Sequence, residues 1–261
     1  MDTSLLVIAC SVTAAVFLYM TLWFAMAFYV KRIDIIDCAW GLGFIYVALI
    51  TLYIDGRFEP IQLLTVLFTA IWGIRLFVHI LSRLVKKPED KRYTAFRKKW
   101  GDNFWSKTYT NIFLVQGVLL LLISSATIAT ITSHHAPLLV VSVIGFSIWT
   151  FGIVFEAISD YQLRQFVVRS KAEGTRGIMD KGLWRYSRHP NYFGEITTWL
   201  GAGIAALSVG AWWGLLGFVV ITFLIVKVSG IPPIEKERAK DEAYQQYQKR
   251  TSVLVPLPPK S

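Results

Sequence analysis

In the stretch GLWRYSRHPNYFGEITTWLG, residues 182–201, a run of polar and aromatic residues is followed directly by an apolar segment. Pro190 suits the first turn of a helix, where its missing N–H leaves no hydrogen bond unmade. A helix that begins there carries Asn191, Glu195 and Thr198 on one face. The stretch therefore predicts a helix that presents polar groups at the mouth of an apolar span.

Arginine residues gather around the predicted start of this helix. Arg185 and Arg188 precede it directly, and free backbone N–H groups at a helix start favour bound phosphate, as arginine does. The polar segment before them contributes three further arginines, Arg164, Arg169 and Arg176. We expect an elongated ligand whose phosphates lie at the surface and whose uncharged, reactive end is held deeper by Asn191 and Glu195.

The composition is that of a membrane protein. Of the 261 residues 54% are hydrophobic and 17% are charged, and the mean hydropathy is +0.50. Soluble domains have about 45–50% apolar and about 25% charged residues. Apolar segments of the length that crosses a bilayer, or close to it, lie at residues 4–30, 39–54, 61–82, 112–131, 137–158, 190–208 and 211–228. We predict an all-α integral membrane protein with about seven transmembrane helices.

Basic residues alternate between the connections. One set of connections carries 24 of the 27 Lys and Arg residues, whereas the opposite set carries only Arg57. Positive charge is retained in the cytoplasm, so we predict an outside N-terminus and a cytoplasmic C-terminus. The basic face is suited to anionic lipid. Nucleic-acid binding is not expected, because no reading module accompanies the charge.

A stripe of charge runs through the fifth apolar segment and its cytoplasmic extension. In FEAISDYQLRQF, residues 155–166, Glu156, Asp160 and Arg164 recur every four residues and so lie on one helix face. Such a stripe cannot face lipid, and charge inside a membrane marks a functional interior. Together with the polar face described above, it predicts a ligand site between two adjacent helices.

The third apolar segment carries a second polar set. Trp72, Arg75 and His79 share a helix face there. Arg75 is expected to pair with an acid, for which Asp34 and Asp37 at the start of the second segment are the candidates. An ion pair that locks helices together and a ligand site fit this set equally.

Three motifs carry a resemblance to a known family. SDYQLRQ at 159–165, GLWRYSRHPNYFGE at 182–195 and the tail at 244–260 resemble the C-terminal part of the steroid 5α-reductase family, in particular its bacterial branch of uncharacterised membrane proteins. The resemblance covers residues 140–260, and the N-terminal half is similar only in topology and around RLFVH. It implies a seven-helix membrane fold. It also implies an oxidoreductase that uses NADPH to reduce a carbon–carbon double bond conjugated to a carbonyl in a lipophilic, steroid-like substrate.

The resemblance also implies a cofactor site. The implied cofactor-binding residues are Asp160, Arg164, Arg176, Arg188, His189, Asn191, Tyr192, Glu195 and Trp199. Among these, Asn191 and Glu195 would lie near the nicotinamide, and Arg176 would serve the phosphates.

The substrate side departs from the family. The eukaryotic steroid enzymes use a Gln–Glu pair in the second helix and a later tyrosine to hold and protonate the ketone, whereas Trp72 stands in the tyrosine's place here. Reduction of an enone needs a hydrogen-bond donor or acid at the carbonyl oxygen, and a carboxyl in a low-dielectric crevice can donate. The candidate catalytic residues, in order, are Asp37, Asp34, Tyr46 and His79.

These sets divide the single membrane domain, residues 1–261, by role. Residues 1–110 are expected to form the substrate-side helices and a basic loop, and residues 111–261 the cofactor-binding helices, loop and tail. A lipophilic substrate would enter from the bilayer. The stretch KERAKDEAYQQYQKR is predicted to be a surface helix that caps the cofactor mouth.

Three features are interpreted as structural. GAGIAA at 201–206 fits a dinucleotide pattern but follows no strand, so close helix packing explains it, as it does Gly41 and Gly43. His134 and His135 have no cysteine or acid cluster nearby, and no metal site is predicted. The cysteines, Cys10 and Cys38, are interpreted as helix fillers.

Two rival functions remain. The isoprenylcysteine methyltransferases also carry an Arg-His-Pro-x-Tyr turn and bind S-adenosylmethionine, but SDYQLRQ and the arginines favour a dinucleotide, which brings phosphates. The second rival is a non-catalytic sterol or lipid carrier, which has no need of the cofactor grip that Asn191 and Glu195 supply. The sequence does not determine the oligomeric state.

Overall fold

The structure is a computed structural model that describes residues 5–85, 88–89, 91–175 and 177–260, apart from the side chains of residues 91 and 92. Within these ranges the regular secondary structure is helical, apart from a single isolated parallel bridge that joins Ser187 and Ser252. The predicted all-α fold is therefore confirmed.

The first three helices follow the first three predicted segments closely. Helix α1 spans Leu5–Val30, α2 spans Ile36–Asp55 and α3 spans Pro60–Leu84. Proline opens α3, and a reciprocal capping box of Glu59 and Gln62 satisfies N–H groups at its start.

The fourth predicted segment, 112–131, is part of a longer and more broken run. Its pieces are α4 (Lys91–Trp100), a 3₁₀ turn (Gly101–Asn103), α5 (Phe104–Thr108), a π-helical stretch (Tyr109–Leu114), α6 (Val115–Ile123) and α7 (Ser125–Thr132). The interruption at Ser124 divides what the apolar composition predicted as one helix.

The C-terminal helices carry the polar motifs. They are α8 (Leu139–Ala172), a 3₁₀ turn (Gly182–Arg185), α9 (Pro190–Ser208), a 3₁₀ turn (Trp212–Gly214), α10 (Leu215–Phe223), a π-helical stretch (Leu224–Val228), α11 (Ile231–Arg238) and α12 (Glu242–Arg250). Helix α9 begins at the predicted proline. The prediction of a single helix in the tail was wrong. Helix α11 ends at Arg238, and a separate helix, α12, follows Asp241, which caps it by accepting a hydrogen bond from the Ala243 N–H.

Six helices of the described residues are long and apolar enough to cross a membrane, and they support an integral membrane protein. They are Leu5–Val30, Ile36–Asp55, Pro60–Leu84, Tyr93–Ile123, Leu139–Ala172 and Trp212–Arg238. The predicted sixth segment forms α9 but is not among them, because Asn191, Glu195 and Thr198 lower its hydropathy. The predicted orientation of the termini stays a prediction.

The chain forms two compact units, one of Met1–Pro137 with Val209–Leu216 and one of Leu138–Ser208 with Gly217–Ser261. The predicted division by role, at residues 110 and 111, stays a prediction. In the first unit α2 and α3 touch at backbone distance: a Cβ atom added to Gly41 would lie 2.3 Å from the Gly73 carbonyl oxygen. A Cβ atom on Gly43 would lie 2.8 Å from a Leu120 methyl, so both glycines serve close packing as predicted.

Candidate functional site

The candidate site of the second unit is built on an antiparallel pair of helices, α8 and α9, in backbone contact. A Cβ atom added to Gly152 would lie 2.4 Å from the Thr198 nitrogen, and one added to Gly194 would lie 2.6 Å from the Glu156 nitrogen. No side chain fits between the two helices at these points. The side chains that flank the contact are thereby held in a fixed register.

The GAGIAA stretch belongs to the same contact. A Cβ atom on Gly201 would lie 2.3 Å from the Trp149 nitrogen, and one on Gly145 would lie 2.6 Å from the Ala205 nitrogen. The stretch lies inside α9. Its predicted role in close helix packing is confirmed for Gly201, in agreement with the small-residue contacts of membrane helices.

The charged stripe of α8 passes from the interior to the surface. Glu156 is 4% exposed, Asp160 is half-buried and Arg164 is exposed. Glu156 lies opposite Gly194, so the antiparallel register, continued by one turn, sets Asp160 beside the first turn of α9. The stripe thus leads from the start of α9 to the surface.

Asn191 supplies an unusual buried acceptor in the first turn of α9. Its Oδ1 atom is buried and accepts no hydrogen bond from any residue that the structure describes. Leaving such an atom unsatisfied costs about 1–3 kcal/mol. A buried acceptor of this kind fits a ligand that brings an N–H or O–H donor.

The other predicted α9 residues follow along the same side of the helix. Glu195 is half-buried one turn later, and Trp199, a further turn on, is 3% exposed. Tyr192 is half-buried, and its ring stacks on the His189 ring with centroids 5.6 Å apart. The structure therefore brings Asn191, Glu195 and Trp199 together on one helix, as the spacing predicted.

The turn before α9 is attached to α8 by the SDYQLRQ motif. The Gln162 Oε1 atom accepts a hydrogen bond of 2.9 Å from the Leu183 N–H, and the Trp184 indole N–H donates to the Ser159 carbonyl over 3.0 Å. Gly182 has a φ of 60° there and lies against the Gln162 side chain, where a Cβ atom would collide. The two motifs therefore form one structural element.

Glu235, a residue of α11, joins this turn to the tail. The Arg188 guanidinium donates to both of its carboxylate oxygens, each over 3.0 Å, and the His189 Nε2 atom lies 2.7 Å from Oε1. The Tyr244 hydroxyl and the Gln248 amide donate to the same carboxylate over 2.7 Å and 2.6 Å. Four side chains thus converge on one acid that the sequence analysis missed, because no regular spacing relates Glu235 to Arg188.

Further bonds hold the turn before α9, residues 182–189, to the tail, and we call this segment the arginine turn. Arg188 also donates to the carbonyl oxygens of Gln248 and Thr251, and the Tyr247 hydroxyl donates to the Trp184 carbonyl. The Arg188 and His189 side chains therefore have partners within the protein. Their predicted contact with a cofactor stays a prediction.

Burial shifts the titration of several groups in this network. It lowers the pKa of His189, although the Glu235 carboxylate acts in the opposite direction. The neutral ring then carries its proton on Nε2, and this N–H donates a hydrogen bond to the Glu235 carboxylate. Burial also raises the pKa values of Tyr244 and Tyr247, so both phenols stay protonated as donors.

The predicted phosphate-binding arginines differ in their surroundings. Arg164, Arg169 and Arg185 are exposed and form no ion pair with an acid in the part of the chain that the structure describes. Arg176 lies outside the described residues. Three described arginines thus remain accessible to an anionic ligand.

In the first unit, the structure assigns a partner to one of the predicted catalytic acids. Asp34 is buried and forms an ion pair with Arg32, whose Nη2 atom lies 2.8 Å from Oδ2. Arg32 also donates to the Leu84 carbonyl at the end of α3. Asp34 therefore helps to hold the start of α2 against the end of α3, and the predicted pairing of Arg75 with Asp34 or Asp37 stays a prediction.

The remaining substrate-side candidates lie on α2 and α3. Gly41, one turn after Asp37 on α2, contacts α3 at Gly73 and Phe77, which flank Arg75 in the chain. Tyr46 lies farther along α2.

The helices and the polar site define an all-α membrane protein whose candidate binding site lies at one end of a tightly packed antiparallel helix pair. The chain belongs to the family DUF1295, described as a protein of unknown function, whose model matches residues 23–251.

Curated relatives are steroid dehydrogenases. The chain is 28% identical over 113 residues to 3-oxo-5-alpha-steroid 4-dehydrogenase 1 of Bos taurus, covering 43% of this chain and 40% of that protein. It is 31% identical over 115 residues to the protein of that name of Rattus norvegicus, with the same coverage. The chain thus spans less than half of the length of the curated relatives it matches. The predicted resemblance is confirmed, and no solved structure matches the chain significantly.

Proposed function

We propose that this protein is a membrane reductase that uses NADPH to reduce a carbon–carbon double bond conjugated to a carbonyl group in a lipophilic substrate. The observation that carries the proposal is the buried Oδ1 atom of Asn191, which accepts no hydrogen bond from any described residue. That acceptor suits an N–H of the primary amide on the nicotinamide. The likeness to 3-oxo-5-alpha-steroid 4-dehydrogenases supports the same reaction class.

The residues that would hold the cofactor follow the polar side of the α8–α9 pair. Asn191 and Glu195 would hold the nicotinamide end, with Trp199 beside them. The exposed Arg164 and Arg185 would bind phosphate through charge-assisted hydrogen bonds. The other proposed contacts are Asp160, Arg176, Arg188, His189 and Tyr192.

NADPH supplies the hydride for such a reaction. The task of the protein is to hold its own polar groups still and to keep water out. The backbone contact at Gly152 and Gly194 serves this task, because it fixes the side chains on either side of it. Groups fixed in advance lose little freedom when the reactants bind, which favours reaction.

A donor must stabilise the carbonyl oxygen of the substrate as negative charge develops there. We propose Asp37 first, followed by Asp34, Tyr46 and His79. The ion pair with Arg32 gives Asp34 a structural role at the start of α2. The substrate would enter from the bilayer, and the cofactor from the cytoplasmic side of a bacterial inner membrane.

The two rival functions make different demands on the site. An S-adenosylmethionine-dependent methyltransferase needs no phosphate-binding arginines, whereas Arg164, Arg169 and Arg185 are exposed beside the polar stripe. A lipid carrier needs no buried acceptor at Asn191. Both observations favour the reductase.

The testing experiment is thermal unfolding of the detergent-purified protein with NADPH, NADH or S-adenosylmethionine. A ligand that binds the folded protein raises its melting temperature. We expect NADPH to raise it, Asn191→Ala and Glu195→Gln to reduce the rise, and the exposed control Gln246→Ala to keep it. Loss of NADPH absorbance with a panel of enones then measures the reaction. Stabilisation by S-adenosylmethionine alone would overturn the proposal.

A further inference from the structure

The last part of the tail, residues 252–259, has no regular secondary structure beyond the isolated bridge at Ser252 and bends at residues 253–255, and we call it the strap. It is fixed to the arginine turn by its polar side: the Arg188 N–H donates to the Ser252 carbonyl, and the Ser187 hydroxyl donates to the Leu254 carbonyl. The Leu257 N–H donates to the Tyr186 carbonyl over 3.0 Å. These bonds hold the strap in one orientation.

The opposite side of the strap is apolar and exposed. Val253, Val255 and Leu257 are 40%, 52% and 53% exposed. At the alternate positions, Ser252 and Leu254 are half-buried. Apolar side chains at alternate positions of the strap are therefore open, although the chain bends at residues 253–255. Tyr186, which contacts the strap through its backbone, is itself 40% exposed. The strap thus presents three exposed apolar side chains in a part of the protein that also exposes a tyrosine.

The strap lies at the level where α8 leaves the hydrocarbon. Helix α8 has 34 residues, whereas about 20 residues suffice to cross the bilayer core. Counted from Leu139, the crossing ends near Ser159. The Trp184 indole bonds to the Ser159 carbonyl, so the turn that carries the strap lies at this level.

The charge around the strap fits an anionic membrane surface. The two segments in contact, residues 181–189 and 249–260, contain six basic residues and no acidic residue. Glu235 engages Arg188 and Asp180 engages Arg250. The others, Lys181, Arg185, Lys249 and Lys260, are exposed. Basic residues beside an apolar surface are attracted to anionic lipid headgroups.

The prolines of the strap argue against pairing with another polypeptide. Pro256, Pro258 and Pro259 have no N–H group, and the Leu257 N–H is already bonded. A partner strand would therefore find few donors on this edge. Lipid headgroups make no such demand.

We propose that the strap docks on the anionic headgroup layer of the membrane in which the protein is embedded, with Val253, Val255 and Leu257 inserted among the lipids. This inference does not depend on the proposed reductase activity. It gives the strap a contact with lipid next to the candidate cofactor site.

The test uses the full chain with Cys10→Ser and Cys38→Ala, whose melting temperature is first compared with that of the wild type. An environment-sensitive fluorophore is attached at Val255→Cys, or at Gln246→Cys as an exposed control outside the strap. Each protein is placed singly in nanodiscs of phosphatidylcholine, with or without phosphatidylglycerol. We expect a blue shift and a several-fold rise in emission at residue 255 with phosphatidylglycerol, and quenching by spin-labelled lipid.

The charge contribution is tested with Lys249→Gln and Lys260→Gln, which we expect to remove most of the phosphatidylglycerol dependence. Emission at residue 255 that is typical of water in both membranes would overturn the proposal. So would an equal shift at residue 246, or a shift that appears only when two copies share one nanodisc, since the strap would then contact a second copy.

Discussion

Arg188 donates two hydrogen bonds to Glu235, which lies 47 positions later in the chain, and both side chains are largely buried. The pair couples the turn that starts α9 to the helices of the tail. Its effect is to make the tail part of the candidate site.

Removing the carboxylate should destabilise the protein, because it leaves a buried arginine without its anion. Breaking a buried ion pair from one side costs about 3–5 kcal/mol, so we expect Glu235→Ala to lose roughly 3 kcal/mol and Glu235→Gln to lose less. Thermal or denaturant unfolding measures the loss. The exposed neighbour Glu237→Ala serves as the control, and a Glu235→Ala protein as stable as this control would contradict the interpretation.

The helix contact predicts that one methyl group on Gly152 is disruptive. An alanine Cβ there would lie 2.4 Å from the Thr198 nitrogen, so α8 and α9 must separate. We expect Gly152→Ala to cost at least about 1–3 kcal/mol of unfolding free energy and to lower cofactor affinity as well. At Gly177 an added Cβ atom would meet the Phe166 ring at an ordinary 3.5 Å, and Gly177→Ala is therefore the matched control. Equal stability of the two variants would argue against a rigid contact.

The buried acceptor of Asn191 predicts opposite effects on stability and binding. Asn191→Leu removes a polar atom that has no described partner, so the ligand-free protein should be as stable as the wild type or more stable. Loss of one hydrogen bond should weaken NADPH binding about tenfold. Melting temperatures with and without NADPH measure both effects. A large loss of stability without ligand would show that the amide has a structural role.

The lowered pKa of His189 predicts a loss of stability in mild acid. The unfolded ring binds a proton near its usual pKa of about 6.5, whereas the folded ring resists protonation until a lower pH. The stabilisation is therefore complete above the pKa of the unfolded ring, about 6.5, and declines as the pH falls towards the pKa of the folded ring. We expect the melting temperature to drop between about pH 7.5 and about pH 5.5, and His189→Gln to drop less. An identical pH profile of the two proteins would exclude His189 as the titrating group.

Local patterns predicted much of the fold and part of the candidate site. The start of α9 follows from Pro190, and the four-residue spacing of Glu156, Asp160 and Arg164 gave their common helix, because both depend on local geometry. Hydropathy also located the first three helices and α9 within a few residues, whereas α8 extends beyond its apolar part to Ala172 and the fourth segment belongs to a longer, interrupted run.

The errors and omissions have a different origin. The Glu235 network could not be predicted, because its members are brought together by tertiary structure and follow no helical or strand periodicity. The break between α11 and α12 was missed because the charged, amphipathic stretch is compatible with a single helix. It is marked in the sequence only by Asp241, whose capping role depends on the local backbone.

The separation of Arg188 from Glu235 has a consequence for biosynthesis. During translation α8 and α9 emerge well before the carboxylate that neutralises the turn between them. The backbone contact at Gly152 and Gly194 needs no later residue, so the two helices can enter the membrane as a preassembled hairpin. The tail can then pack against a cationic turn that has already formed, so the hairpin and the tail assemble in the order in which they are synthesised.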